Sequence, residues 1–142
     1  MTKLFVLQTK PSLSIFNYMF ELTVIESFSA AHSLRNYQGP CEKLHGHNFK
    51  VEATISCKNL NKLSMGMDFK EIKRILKDIL KKLDHTFLNE LPYFKHINPT
   101  SEEIARFIHA EMKNRLSNGC KMKCVSVWEN DKSKVTYTED ER

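Results

Sequence analysis

Apolar and polar positions alternate most cleanly over residues 45–57. His45, His47, Phe49, Val51, Ala53, Ile55 and Cys57 fall on one side of a strand, and Asn48, Lys50, Glu52, Thr54 and Ser56 on the other. A second alternating stretch spans 19–32. There Phe20, Leu22, Val24 and Phe28 interleave with Glu21, Thr23, Ser27 and Ser29, while Ile25 and Glu26 break the pattern slightly. His32 continues the apolar face at the end of that strand. Residues 33–44 contain Asn36, Gln38, Gly39 and Pro40 and read as a loop.

The period changes after a connection over 58–67. Asp68 with Glu71 forms a capping-box pattern ahead of a helix running to about Leu83. Phe69, Ile72, Leu76, Ile79, Leu80 and Leu83 make its apolar stripe; Lys70, Arg74, Lys77 and Lys81 make a basic one. Residues 86–99 form a loop with Pro92 and Pro99. Thr100 with Glu103 opens a second helix, which buries Ile104, Ile108, Met112 and Leu116 and stops at Asn118-Gly119. Short strands over 122–129 and 133–138 flank a tight Asn130-Asp131-Lys132 turn. The order β-β-α-α-β-β predicts an α+β fold, an antiparallel sheet with both helices on one face.

Composition narrows the class. A chain of 142 residues, 41% hydrophobic and 27% charged, fits one globular domain. No apolar run approaches the ~20 residues that cross a bilayer. Leu4–Phe20 is interrupted by Gln8, Lys10 and Pro11 and has no cleavage signature. Residues 1–18 therefore read as a poorly ordered leader and 19–142 as the domain. Cys41, Cys57, Cys120 and Cys124 lack C-x-x-C spacing, which predicts reduced thiols in cytoplasm, the last three as small buried residues. A net charge of +5 suits a solvated basic face. Nucleic-acid binding is disfavoured, because the basic stripe on the first helix has no interleaved aromatics.

The chemistry gathers around Cys41-Glu42-Lys43-Leu44-His45-Gly46-His47. Strand periodicity puts both imidazoles on one face, with a small Gly46 leaving room on the other. His32 ends the preceding strand, where an antiparallel partner begins. Three neutral imidazoles with one open position are the ligand set of a catalytic zinc site, although iron, nickel and copper also accept imidazole. Cys41 is then either a fourth ligand of a structural site or a free nucleophile or base. Asp84-His85 is a carboxylate–imidazole pair, provided the helix has ended there, since adjacent helical residues do not face each other. By local chemistry Thr100-Ser101 is a helix cap. Glu129 shares parity with Val125 and Val127, so its carboxylate calls for a partner, such as an amidine-like ligand edge, unless the strand ends there.

Five segments then come in one order: Phe28-Ser29-Ala30-Ala31-His32, Cys41-x-x-x-His45-Gly46-His47, Leu83-Asp84-His85, Pro99-Thr100-Ser101-Glu102 and Val127-Trp128-Glu129. Over roughly 19–138 the chain resembles the 6-pyruvoyl-tetrahydropterin synthase family, and within it most the bacterial 6-carboxy-tetrahydropterin synthases of queuosine biosynthesis. The resemblance implies a tunnelling fold whose subunits join sheets into a barrel, typically a homohexamer of two stacked trimers. It implies one Zn2+ per subunit on His32, His45 and His47, and proton transfer by Cys41, Asp84 and His85. It implies a pterin held by Glu129 beside Thr100 and Ser101. The implied reaction is a lyase step on 7,8-dihydroneopterin triphosphate, giving 6-carboxy-5,6,7,8-tetrahydropterin, triphosphate and acetaldehyde. Triphosphate elimination alone, as in 6-pyruvoyl-tetrahydropterin synthase, and a non-catalytic zinc module are the alternatives. A zinc hydrolase would call for a general-base carboxylate beside the metal, and the sequence has no H-E-x-x-H helix. Relatives that cleave the side chain to a hydroxymethylpterin carry glutamate in place of the cysteine; here Cys41 is present with Glu42 beside it.

Overall fold

The computed structural model describes residues 18–139. Apart from Tyr18, the expected leader lies outside them. Strand β1 (Phe20–His32) and strand β2 (His45–Cys57) form an unbroken antiparallel hairpin, in register from Phe20↔Cys57 to His32↔His45. Strand β3 (Lys121–Asn130) adds to β2, and strand β4 (Ser133–Thr138) to β3, giving the order β1-β2-β3-β4. Helix α1 (Phe69–Leu80) packs on β1, and helix α2 (Ser101–Lys113) on β3 and β4. The expected layer of two helices on one sheet face is what forms.

The core lies between these layers. Phe49, Val51, Ile55, Val125 and Val127 from the sheet meet Ile72, Leu76, Ile79, Ile104, Ile108 and Met112 from the helices, all fully buried. Each such side chain contributes on the order of 1.5–3 kcal/mol. The opposite sheet face is polar, as the alternation demands. Thr23 and Thr54 share a hydroxyl hydrogen bond of 2.8 Å, and Trp128 Nε1 donates to Glu52 at 3.0 Å.

Several local expectations change. Helix α1 ends at Leu80, because its last turn tightens to bonds from Lys82 N to Ile79 O and from Leu83 N to Leu80 O. Leu83 stays in the core regardless. Ile75, not Phe69, belongs to the buried stripe; Phe69 sits in the first turn and is 54% exposed. Asp68 caps Lys70 N at 2.7 Å, whereas Glu71 turns to Arg74 and leaves the capping box half made. Thr100 caps α2 through Glu103 N as expected. That helix stops at Lys113, with Leu116 half-buried in the following loop; Asn118 and Gly119, at φ 56 and 68, turn that loop rather than the helix.

The cysteine expectation needs the largest correction. Cys57 and Cys120 are buried, but as a disulfide across 63 residues rather than as two separate thiols. Cys41 and Cys124 are free. Gly66 closes over this bridge: a Cβ there would lie 2.8 Å from Cys57 Cβ, so only glycine allows the approach. Nothing in cysteine spacing announces such a pair, because the contact is made by the return of β3 along β2.

Candidate metal centre and its flanking cavities

The hairpin register decides the centre. His32 and His45 are cross-strand partners, and His47 lies two residues along β2 on the same face. The ring centroids are 4.5 Å (His32–His45), 4.9 Å (His45–His47) and 5.2 Å (His32–His47) apart. Phe49 forms a floor beneath His32 and His47, at 5.6 and 5.3 Å, and stacks in turn on Phe28 at 4.9 Å.

Backbone carbonyls orient two of the rings. His32 Nδ1 donates to Pro99 O at 2.7 Å, and His45 Nδ1 to Lys43 O at 2.7 Å. A carbonyl can only accept, so in the neutral rings the proton is on Nδ1 and the lone pair on Nε2. Nε2 of His32, His45 and His47 are all buried without a hydrogen-bond partner. The acceptors of His32 and His45, with the unpartnered His47 nitrogen beside them, cost several kcal/mol unless something binds them. Burial also lowers the pKa of His32 and His47, more strongly than the opposing Pro99 contact at His32 and Glu129 charge at His47 raise it. Both effects favour neutral imidazole, the form that binds metal. The donor set fits a zinc-type ion.

Glu129 joins this group. Its Oε1 lies 2.9 Å from His47 Nε2, off the hydrogen-bonding direction, and its Oε2 accepts from Ser101 Oγ at 3.2 Å. The three imidazoles and Glu129 each offer a ligand atom within 4.8 Å of the others. The irregular register between Trp128 and Asn130 turns Glu129 inward, so the strand does not simply end in solvent. Cys41 is not in the donor group. It sits in the 3-10 turn Pro40–Glu42, which gives no support to a four-ligand structural site closed by the thiol.

A cavity of about 350 Å³ is lined by His32, Cys41, Thr100, Ser101 and Glu129, with Val127, Val135 and Lys134. A second cavity, about 450 Å³, is lined by His47, Gly46, Asn48, Ser29 and His85. The imidazole cluster stands between the two. A Cβ on Gly46 would meet only Ala30 O, at 3.5 Å, so that glycine keeps space open rather than permitting a tight approach.

Asp84 and His85 do pair, because the helix has ended. His85 takes φ 55, which turns its ring back so that Nδ1 lies 2.9 Å from Asp84 Oδ2. Left-handed backbone at a non-glycine residue is strained by about 1 kcal/mol or more. It is held by His85 N donating to Ser29 O at 2.6 Å and Ser29 N donating to Asp84 Oδ1 at 2.8 Å. The Ser29 amide, then the His85 ring, keep the Asp84 carboxyl below its usual range. His85 lines the second cavity, not the one that holds Cys41. Within one chain the three expected proton-transfer residues are therefore not brought together.

Some contributors had no signal in the sequence. The carbonyls of Pro99 and Lys43 orient metal ligands, and Asn89 and Asn98 pair with the backbone just after His32. An Asn-Pro dipeptide at 98–99 signals a turn, but not what that turn touches.

The model of the 6-pyruvoyl tetrahydropterin synthase family matches residues 21–140. The chain belongs to this enzyme family. A relative from Archaeoglobus fulgidus, described as a putative 6-carboxy-5,6,7,8-tetrahydropterin synthase, is 44% identical over 105 residues, covering 74% of this chain and 84% of that protein. A Pyrococcus furiosus dihydroneopterin monophosphate aldolase is 34% identical over 105 residues, 72% of this chain and 83% of that one. The solved Caenorhabditis elegans 6-pyruvoyl tetrahydropterin synthase shares the fold, with a TM-score of 0.77 over 87% of this chain and 97% of that chain at 23% identity. Among the described residues no helix is long and apolar enough to cross a membrane.

Proposed function

We propose that this family member converts 7,8-dihydroneopterin triphosphate and water to 6-carboxy-5,6,7,8-tetrahydropterin, with release of triphosphate and acetaldehyde. The setting proposed is cytoplasmic queuosine biosynthesis, with a homohexameric, zinc-dependent enzyme. The observation that carries this reading is the triad of buried, unpartnered Nε2 atoms beside a cavity that also holds Cys41 and Glu129. His32, His45 and His47 would hold zinc. Bound there, it supplies Lewis acidity toward the substrate's side-chain hydroxyls.

The remaining roles belong to the chain. Glu129 accepts two hydrogen bonds from the guanidine-like edge of the pterin, exchanging its contact with His47 for that edge. Ser101, already bonded to Glu129 Oε2, steadies the carboxylate, and Thr100 lines the same wall. Cys41 acts as a base on the substrate side chain from the first cavity. His85, oriented by Asp84, serves the opposite side.

Zinc-loaded protein incubated with dihydroneopterin triphosphate, followed by mass spectrometry, tests the reading. The expected products are the 6-carboxy pterin and acetaldehyde. A 6-pyruvoyl product would assign triphosphate elimination alone. A hydroxymethylpterin would place the chain with the aldolase, a reading favoured by the Pyrococcus relative's name. Cys41→Ala is expected to lower kcat by about 10²–10⁴-fold with zinc still bound. Full activity in that variant removes the thiol from the scheme.

A further inference from the structure

The loop between α1 and α2 has little regular structure, yet it supplies the carbonyl that orients His32. Two asparagines tie it to the residues just after β1. Asn89 accepts from Ser33 N at 3.0 Å and donates to Ser33 O at 2.8 Å. Asn98 accepts from Arg35 N at 2.8 Å and donates to Arg35 O at 3.0 Å. Each amide side chain thus pairs with both the N–H and the C=O of one backbone residue, at positions 33 and 35. Arg35 completes the tie. Its guanidinium donates to three carbonyls of the loop: Phe94 O at 3.1 Å, Ile97 O at 2.9 Å and Asn89 O at 3.1 Å. The next carbonyls along are those of Asn98, which accepts from Thr100 N at 2.8 Å, and of Pro99, which accepts from His32 Nδ1.

We infer that Arg35, Asn89 and Asn98 are positioning residues of the metal centre: they hold the Pro99 carbonyl against His32 and so fix that ring's tautomer and aim. The physical case has three parts. The three carbonyls have no strand or helix partner, so without Arg35 the loop would take other arrangements. Arginine suits the task because its planar fork reaches several acceptors at once, which a lysine ammonium does not. Partners beyond the ligands themselves set ligand orientation, and losing one typically weakens metal binding by about 10–100-fold.

This inference rests on the three-histidine metal reading, so the test has one arm without metal. Zinc affinity is measured by chelator competition, together with the absorption spectrum of the cobalt-loaded protein. The His32 tautomer is read in zinc-free protein by long-range ¹⁵N–¹H NMR. Arg35→Ala and the isosteric Asn98→Asp are expected to weaken zinc by about 10–100-fold and to shift the cobalt bands. In both, His32 should lose its single Nδ1–H form. Arg35→Lys is not expected to restore either property. Asn118→Gly removes a similar asparagine-to-carbonyl bond, to Gly66 O at 2.6 Å, beside the disulfide, and should leave affinity and tautomer unchanged. Unchanged zinc affinity and tautomer in Asn98→Asp and Arg35→Lys would overturn the inference. So would an equal loss of affinity in Asn118→Gly. Wild-type protein that binds no zinc, with variants that still lose the His32 Nδ1–H form, would instead refute the metal reading and keep the positioning network.

Discussion

The two ends of the β1–β2 hairpin are built from the same register and end in opposite ways. At one end Phe20 faces Cys57, and Cys57 is bonded to Cys120 under Gly66. At the other His32 faces His45, and three ring nitrogens are left without partners. The first end satisfies its groups and closes a 63-residue loop covalently. The second stores unsatisfied acceptors over the Phe49 floor. A buried group left unmatched is costly, so its presence on the most regular strand pair marks a place where a ligand belongs. Stability and chemistry are separated along a single pair of strands.

Breaking the second end should have the largest effect. His45→Ala is expected to lower zinc affinity by more than the ~100-fold typical of an outer-shell loss, and to abolish turnover. Zinc-free stability should move little, about 1 kcal/mol or less, since one orphaned acceptor leaves with the ring. Calorimetric zinc titration and urea unfolding of the same protein measure both quantities. A large stability loss with zinc retained would mean that the cluster is a structural core.

Breaking the first end should do the reverse. Cys57→Ser combined with Cys120→Ser is expected to lower stability by about 2–4 kcal/mol, as should reductant on the native chain. Zinc affinity should not change. Urea midpoints with and without dithiothreitol decide it, and coupled loss of zinc would erase the contrast between the ends.

The smallest effect sharpens what an orphaned histidine means. His109 on α2 is buried with neither nitrogen hydrogen-bonded, 3.7 Å from Glu139 Oε1 and edge-on to Tyr137. Yet it stands alone among the described residues, outside the group that could share a metal. Burial lowers its pKa from 6.5, more than Glu139 raises it; Lys113 lowers it further. The folded state therefore binds fewer protons than the unfolded state. Its contribution is fully present above about pH 6.5 and is lost as pH falls from there through the lowered folded pKa. His109→Phe should flatten that part of the stability profile in zinc-free protein below about pH 6.5. His32 and His47 add a dependence of the same sign, so the difference between variant and native chain isolates His109. Equal slopes in the two would show that His109 titrates in the fold as it does unfolded.

Much of this was legible in the chain. Alternation over 45–57 delivered β2 to the residue, and parity put His32, His45 and His47 on one face, because a period of two leaves a buried strand no other register. Thr100 announced its cap, and Asp84-His85 its pairing once the helix was required to end. The family motifs in order pointed to the 6-pyruvoyl-tetrahydropterin synthase family, and the family match upholds that membership.

Tertiary structure decided what local periodicity does not carry. Whether Cys57 meets Cys120 depends on how β3 returns along β2. Whether Glu129 points to solvent or to the imidazoles depends on one irregularity in β3. That His85 opens on a different cavity from Cys41 depends on where α1 stops. The Arg35, Asn89 and Asn98 ties join residues 54–63 positions apart across irregular backbone, where no period exists to be read. Sequence alone determined which side chains share a strand face, since that is set by covalent geometry. Which carbonyl turns each ring, and which acceptors stay empty, is set by the packing of loops, and only the folded chain shows it.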